Sequence, residues 1–151
     1  VNGTMYPNFN QLKKDVTEIK NLYDTMNIPL TPCHNDTVPE NFVKSGDNQI
    51  YLIDWEYAGL NDPIWDLAAH SIESGFSEKE EELFLNLYFT DGVTENIRIR
   101  MLIHKIFQDF IWSLWTVFKE AKGDDFGDYG ISRHNRAIEN IKKLLSKGIF
   151  I

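Results

Sequence analysis

Two short stretches hold residues whose types and spacing could do chemistry. One is Pro32-Cys33-His34-Asn35-Asp36-Thr37-Val38-Pro39-Glu40-Asn41, and the other is Ile53-Asp54-Trp55-Glu56. In the first, the Asp36 carboxylate and the Asn41 carboxamide stand five residues apart on one loop. Between the stretches, Phe42-Val43 and Ile50-Tyr51-Leu52-Ile53 flank Ser45-Gly46-Asp47-Asn48, which predicts two short strands around a tight turn. A hairpin folds back on itself, so this one can return Asp54 close to Asn41. Those two then offer the hard oxygen ligands that Mg²⁺ prefers, and Asp36 stays nearby to orient a hydroxyl and accept its proton. Phosphoryl transfer needs that set: a metal to neutralise phosphate charge and a carboxylate to position the nucleophile.

The pattern His-x-Asp-x-x-x-x-Asn, with a later Asp at a strand end, resembles the catalytic loop and metal-binding Asp of kinase-like phosphotransferases. The run Ile53-Asp54-Trp55-Glu56-Tyr57-Ala58-Gly59-Leu60-Asn61-Asp62-Pro63-Ile64-Trp65-Asp66-Leu67-Ala68 is similar to the signature of the choline and ethanolamine kinases, bacterial choline kinases above all. The resemblance covers roughly His34 to Arg133. It implies that Asp36 is the catalytic base, that Asn41 and Asp54 hold Mg²⁺ with Glu56 reaching the metal through water, and that His34 and Asp66 support the loops. ATP is then the co-substrate, and choline or a similar amino alcohol the acceptor. Glu73 stands where the family has an acidic residue facing the trimethylammonium, Trp112 and Trp115 match its Trp-x-x-Trp pair, and Tyr129 and Arg133 resemble its Tyr-x-x-x-Arg element. Thr37 departs from the apolar residue usual in bacterial relatives, and Val38 from a polar residue of the eukaryotic ones.

Independently of family, Trp112 and Trp115 are three apart and share one helix face, where two indoles can wall a quaternary ammonium. The competing role is core packing, since Ile106, Phe110, Ile111, Leu114 and Phe118 lie on the same helix. If the cage exists, Glu73 and the two Trp converge near Asp36, with Tyr129 closing the pocket from a loop. Ethanolamine, an aminoglycoside or a sugar are the competing acceptors. A non-catalytic quaternary-ammonium-binding module, or a degraded kinase lobe, is the competing class.

These residues need a scaffold. Phe9, Leu12, Val16, Ile19, Tyr23 and Met26 recur at steps of three or four and predict a helix ended by Pro29 and Pro32. Asp62-Pro63 opens a helix over Ile64 to Ser74, the capping box Ser77-Glu78-Lys79-Glu80 opens one to about Phe89, and Thr94 caps a long one to Lys122. Ser132 is expected to cap a last helix bearing Ala137, Ile138, Ile141, Leu144 and Leu145 on one face, with Gly148 just past its end. The Glu78 to Glu82 run reads as a solvated face. The fold class is α+β, mainly α, and the resemblance makes it the C-terminal lobe of a protein-kinase-like fold in which the hairpin carries the catalytic and metal loops. No Gly-rich phosphate loop or strand lysine precedes the first helix, so residues 1–151 are expected to be one domain without the N-terminal nucleotide lobe, and inactive alone. Gly123, Gly127 and Gly130 lie in too acidic a run to cradle phosphate.

Composition narrows the function classes. A length of 151 residues with 42% hydrophobic and 13% aromatic residues suffices for a packed core. The net charge of −8 argues against nucleic acid and mildly favours a cationic ligand. The single cysteine, Cys33, permits no internal disulfide and points to a cytoplasmic location. Within Ile97 to Phe118, Arg98, Arg100, His104, Lys105, Gln108 and Asp109 argue against membrane insertion. Oligomeric state is not legible.

Overall fold

The computed structural model describes residues 5–149. They form two compact units, one of Ile28–Met101 and one of the residues up to Asn27 together with those from Leu102 on. The first is called the loop unit and the second the all-helical unit.

In the loop unit, β1 (Thr31–Cys33) pairs antiparallel with β4 (Gly59–Asn61), Cys33 opposite Gly59. Inside that pair of strands lies the expected hairpin, β2 (Phe42–Lys44) with β3 (Ile50–Leu52), Phe42 opposite Leu52. The β1–β4 ladder was not expected. Its strands are three residues long, one contains Pro32, and their partners lie some thirty positions away, so neither shows a period. Two 3₁₀ turns, Pro39–Asn41 and Trp55–Tyr57, form the ends of the two chemical stretches.

Helix α2 (Ile64–Glu73) starts where predicted. The Asp62 carboxylate accepts from the Ile64 N–H at 2.9 Å, and it is also wholly buried against the Arg100 guanidinium, a pairing invisible in the sequence. Helix α3 (Glu78–Tyr88) is held by the predicted capping box, with Ser77 accepting from the Glu80 N–H and Glu80 accepting from the Ser77 N–H at 2.8 Å. Only part of its acidic run is a solvated face: Glu81 takes the Ser71 hydroxyl, and Glu82 pairs with Arg98 at 2.6 Å. Ile64, Leu67, Ala68, Leu85 and Met101 make the core of this unit, with Phe84, Phe89, Val93 and Ile97 packed on it.

Helix α1 (Phe9–Thr25) buries Leu12, Val16 and Ile19, half of the predicted stripe, in the all-helical unit. Helix α4 (Glu95–Glu120) begins at the predicted cap, the Thr94 hydroxyl accepting from the Ile97 N–H at 3.3 Å. Helix α5 (Tyr129–Ser146) buries Ala137, Ile141 and Leu144. It starts at Tyr129 rather than at Ser132, so Ser132 lies inside it and caps nothing. The helix has no side-chain cap at Asp128, and its first turn makes a close approach. A Cβ on Gly130 would sit 2.8 Å from Thr116 Cβ and collide with the Tyr6 hydroxyl, so a glycine there lets the first turn of α5 press onto α4. Among the described residues, no helix is long and apolar enough to cross a membrane.

Candidate active site

The catalytic loop is built outward from Asp66. Its carboxylate accepts the backbone N–H of His34 at 2.8 Å and of Asn35 at 2.7 Å, and its carbonyl accepts the Thr37 hydroxyl at 2.5 Å. The Thr37 hydroxyl therefore tethers the loop to α2. His34 is buried, and its ring donates from Nε2 to the Ile53 carbonyl at 2.8 Å while Nδ1 accepts the Asp36 N–H at 3.3 Å. One tautomer satisfies both partners, so the imidazole is a strut between the two loops. Trp55 packs edge-on against it at 4.7 Å and donates its indole N–H to the Leu52 carbonyl at 2.8 Å.

Asp36 and Asn41 meet directly. The Asn41 amide nitrogen donates to the Asp36 carbonyl at 2.8 Å and to its carboxylate at 3.1 Å. Both partners can only accept, so the amide orientation is fixed and Oδ1 is the end left for a cation. The hairpin does return the second loop: the Ile53 N–H donates to the Asn41 carbonyl at 2.9 Å, one residue before Asp54. Asp54 itself sits at φ 62, ψ 63, and Asn35 at φ 68, both left-handed and both non-glycine. Such backbone is kept only where surroundings over-determine it. For Asn35 they do: its side chain donates to the Tyr57 carbonyl at 2.9 Å and accepts from Asn61 at 3.0 Å, and its carbonyl accepts the Trp65 indole N–H at 3.2 Å.

Asp54 and Glu56 are exposed. The Tyr57 phenol is pushed above its ordinary range, first by the Glu56 charge and also by Asp36 and Asp54. Three carboxylates thus bear on one exposed hydroxyl, and sequence reasoning gave Tyr57 no role. Among the described residues no group of three His, Cys, Asp or Glu could hold a metal ion. Asn41 Oδ1, Asp54 and Glu56 are nonetheless all-oxygen donors, suited to a hard cation that draws its other ligands from phosphate and water. Cys33 is buried, its thiol raised by burial, and its Sγ lies 3.5 Å from the Asn61 carbonyl.

Glu73 ends α2, half-buried. The remaining predicted residues belong to the all-helical unit. Trp112 and Trp115 meet edge to face at 5.5 Å, and Phe126 adds a third ring at 5.0 Å from Trp115. Trp115 is 36% exposed, more than core packing demands, and the Lys119 ammonium already stands 5.7 Å from its ring centre. Tyr129 is not on a loop, as expected, but opens α5 and accepts from Arg133 Nη2 at 2.7 Å.

The loop unit thus joins Asp36 to Asn41 by hydrogen bonds and returns the second loop to the Asn41 carbonyl. A family model, "Choline/ethanolamine kinase", matches residues 3–138, and the chain belongs to the choline/ethanolamine kinase family. "Protein LicA" of Haemophilus influenzae is 37% identical over 123 residues, which are 78% of this chain and 36% of that protein. The crystal structure of choline kinase LicA from Streptococcus pneumoniae is 44% identical with a TM-score of 0.81, covering 91% of this chain and 49% of that one. A choline/ethanolamine kinase family protein from Mesorhizobium loti is 30% identical with a TM-score of 0.85, covering 93% and 49%. A further structure, of LicA in complex with AMP, is 43% identical. The chain spans about half the length, or less, of the relatives it matches.

Proposed function

We propose that the full-length protein transfers the γ-phosphoryl group of ATP to the hydroxyl of choline. The observation that carries this reading is the Asp36–Asn41–Asp54 arrangement: a half-buried carboxylate oriented by a carboxamide whose oxygen faces away from it, with an exposed carboxylate returned by the hairpin. Asp36 orients the acceptor hydroxyl and takes its proton as the oxygen bonds to the γ-phosphorus and the bond to the ADP oxygen breaks. Asn41 and Asp54, with Glu56 through water, would hold Mg²⁺, which when bound supplies charge neutralisation at the phosphates. Trp112, Trp115 and Tyr129 offer ring faces, and Glu73 a carboxylate, to the acceptor's cation.

Choline is favoured over ethanolamine because a methylated cation gains from apolar ring contact, whereas a primary ammonium asks for hydrogen bonds. The likeness to the choline kinase LicA of Streptococcus pneumoniae supports the acceptor, and the likeness to a LicA structure in complex with AMP supports the nucleotide. The test is a coupled ADP-release assay on the full-length protein with choline, ethanolamine, an aminoglycoside and a sugar. Choline is expected to give the highest kcat/KM, and the 151 residues alone little turnover. Preference for another acceptor overturns the choline assignment. Choline binding without turnover in the full-length protein would establish the non-catalytic module instead.

A further inference from the structure

A cluster of three charges in the all-helical unit lies behind Tyr129, with Asp109 and Arg133 buried and Arg136 partly exposed. Asp109 is completely buried on α4, and Arg133, on α5, is 2% exposed. Arg136 grips Asp109 with a two-pronged guanidinium, Nε at 2.8 Å and Nη2 at 2.6 Å. Arg133 donates to the same carboxylate from Nη1 at 3.1 Å, and from Nη2 to the Tyr129 hydroxyl at 2.7 Å. Its guanidinium carbon also lies 4.8 Å from the Tyr129 ring centre. Taking these charges out of water is costly: burial pulls the Arg133 guanidinium down to about 9 and pushes the Asp109 carboxyl up. Buried ion pairs rarely repay that cost in stability over an apolar replacement, so stability is a weak reason for three charges to meet here. Geometry is a stronger one. A guanidinium is a rigid plane, and with one nitrogen on a buried anion and another on a phenol it sets the height and tilt of a ring that is itself 36% exposed.

The geometry points to Asp109 and Arg133 as positioning residues that fix Tyr129 for the acceptor's cation, so that acceptor choice depends on a carboxylate sealed inside the helices. This rests on the reading of Tyr129 as part of the cation site. The asymmetry of the cluster gives a clean test. Arg133→Met leaves Asp109 in the Arg136 fork, so it removes the tether to Tyr129 without stranding a buried charge. In the full-length protein, Arg133→Met is expected to raise the KM for choline on the order of tenfold and to lower the choline-over-ethanolamine preference. The KM for Mg-ATP should stay within about twofold and Tm near that of the wild type. Tyr129→Phe removes only the hydroxyl, and its combination with Arg133→Met should be no worse than the poorer single variant, because both break one link. Asp109→Asn should move the same constants in the same direction; if it fails to fold, the Arg133→Met and Tyr129→Phe pair decides.

A lowered Tm with unchanged choline KM, or effects that multiply in the double variant, would overturn the inference. Tyr129→Ala separates this from failure of the underlying reading. If it too leaves choline KM unchanged, the cation site is misassigned. If Tyr129→Ala raises KM and Arg133→Met does not, only the positioning role falls.

Discussion

The two units hold their key side chains by opposite means. In the loop unit, nearly every tether of the catalytic loop runs from a side chain to a backbone group: Asp66 to the His34 and Asn35 N–H groups, His34 to the Ile53 carbonyl, and Asn35 to the Tyr57 carbonyl. The carboxylates left over, Asp54 and Glu56, are exposed. In the all-helical unit the carboxylate is sealed inside, Asp109 held by two guanidiniums, and the exposed groups are rings. The difference follows from what each must present. A loop has no backbone hydrogen-bond ladder of its own, so side chains must supply one before a carboxylate can be aimed. A helix satisfies its own backbone, which leaves its side chains free to aim one another.

The sharpest break between the two is expected at Asp36. In the full-length protein, Asp36→Asn should lower kcat by on the order of 10² or more while leaving nucleotide affinity nearly intact, since in the proposed reaction the group acts on the acceptor hydroxyl. Asp54→Ala should instead weaken metal-dependent nucleotide binding. Stopped-time assays and nucleotide titrations read the two separately. An Asp36→Asn variant with most of its activity would mean that the loop only supports a site elsewhere.

A smaller effect, on the order of tenfold, is expected at Trp115. Trp115→Ala should raise the KM for choline more than that for ethanolamine, with Trp115→Phe mild. Being 36% exposed, the side chain cannot contribute to stability as a sealed core indole does. Melting temperature and acceptor preference measured on the same variant distinguish ring face from core. A sharp fall in Tm with unchanged preference would return Trp115 to the core.

Which parts were legible in sequence follows the same division. The loop constellation could be read because its parts are close in the chain: Asp36 and Asn41 share one loop, and the short Phe42–Leu52 hairpin returns Asp54. The helices of the loop unit announced themselves through local caps, Asp62 and Ser77, and α4 through Thr94. What failed was long-range. β1 and β4 pair across some thirty residues and show no period. Helix α5 starts at Tyr129 with no side-chain cap at Asp128, and its first turn presses Gly130 onto Thr116, so Ser132 misled. Asp109 and Arg133 are 24 positions apart, and a charged residue on an amphipathic helix reads as solvated until its partner is placed. Tyr57 was passed over because the charges that raise its phenol, Glu56 first and Asp36 and Asp54 after it, come from two loops.

The smallest effect expected concerns α3, whose capping box represents purely local control. Ser77→Ala removes the hydroxyl that accepts from the Glu80 N–H and donates to its carboxylate at 2.7 Å. Losing such a cap costs about 1 kcal/mol, which lowers Tm by about 2–4 °C in a protein of this size. The pH dependence has a definite sign. Glu80 is held below the ordinary carboxylate range, first by the Ser77 hydroxyl and then by the Ser77 N–H. A carboxyl with a depressed folded-state pKa contributes stability that is fully present above the unfolded value and is lost as pH falls through the folded one. The variant has already lost part of that contribution. Its Tm should therefore differ from the wild type most at neutral pH, and the gap should narrow on acidification through the Glu80 titration. Melting curves at neutral and acid pH test this, and a gap that is constant across the range would show that the cap acts through backbone geometry alone.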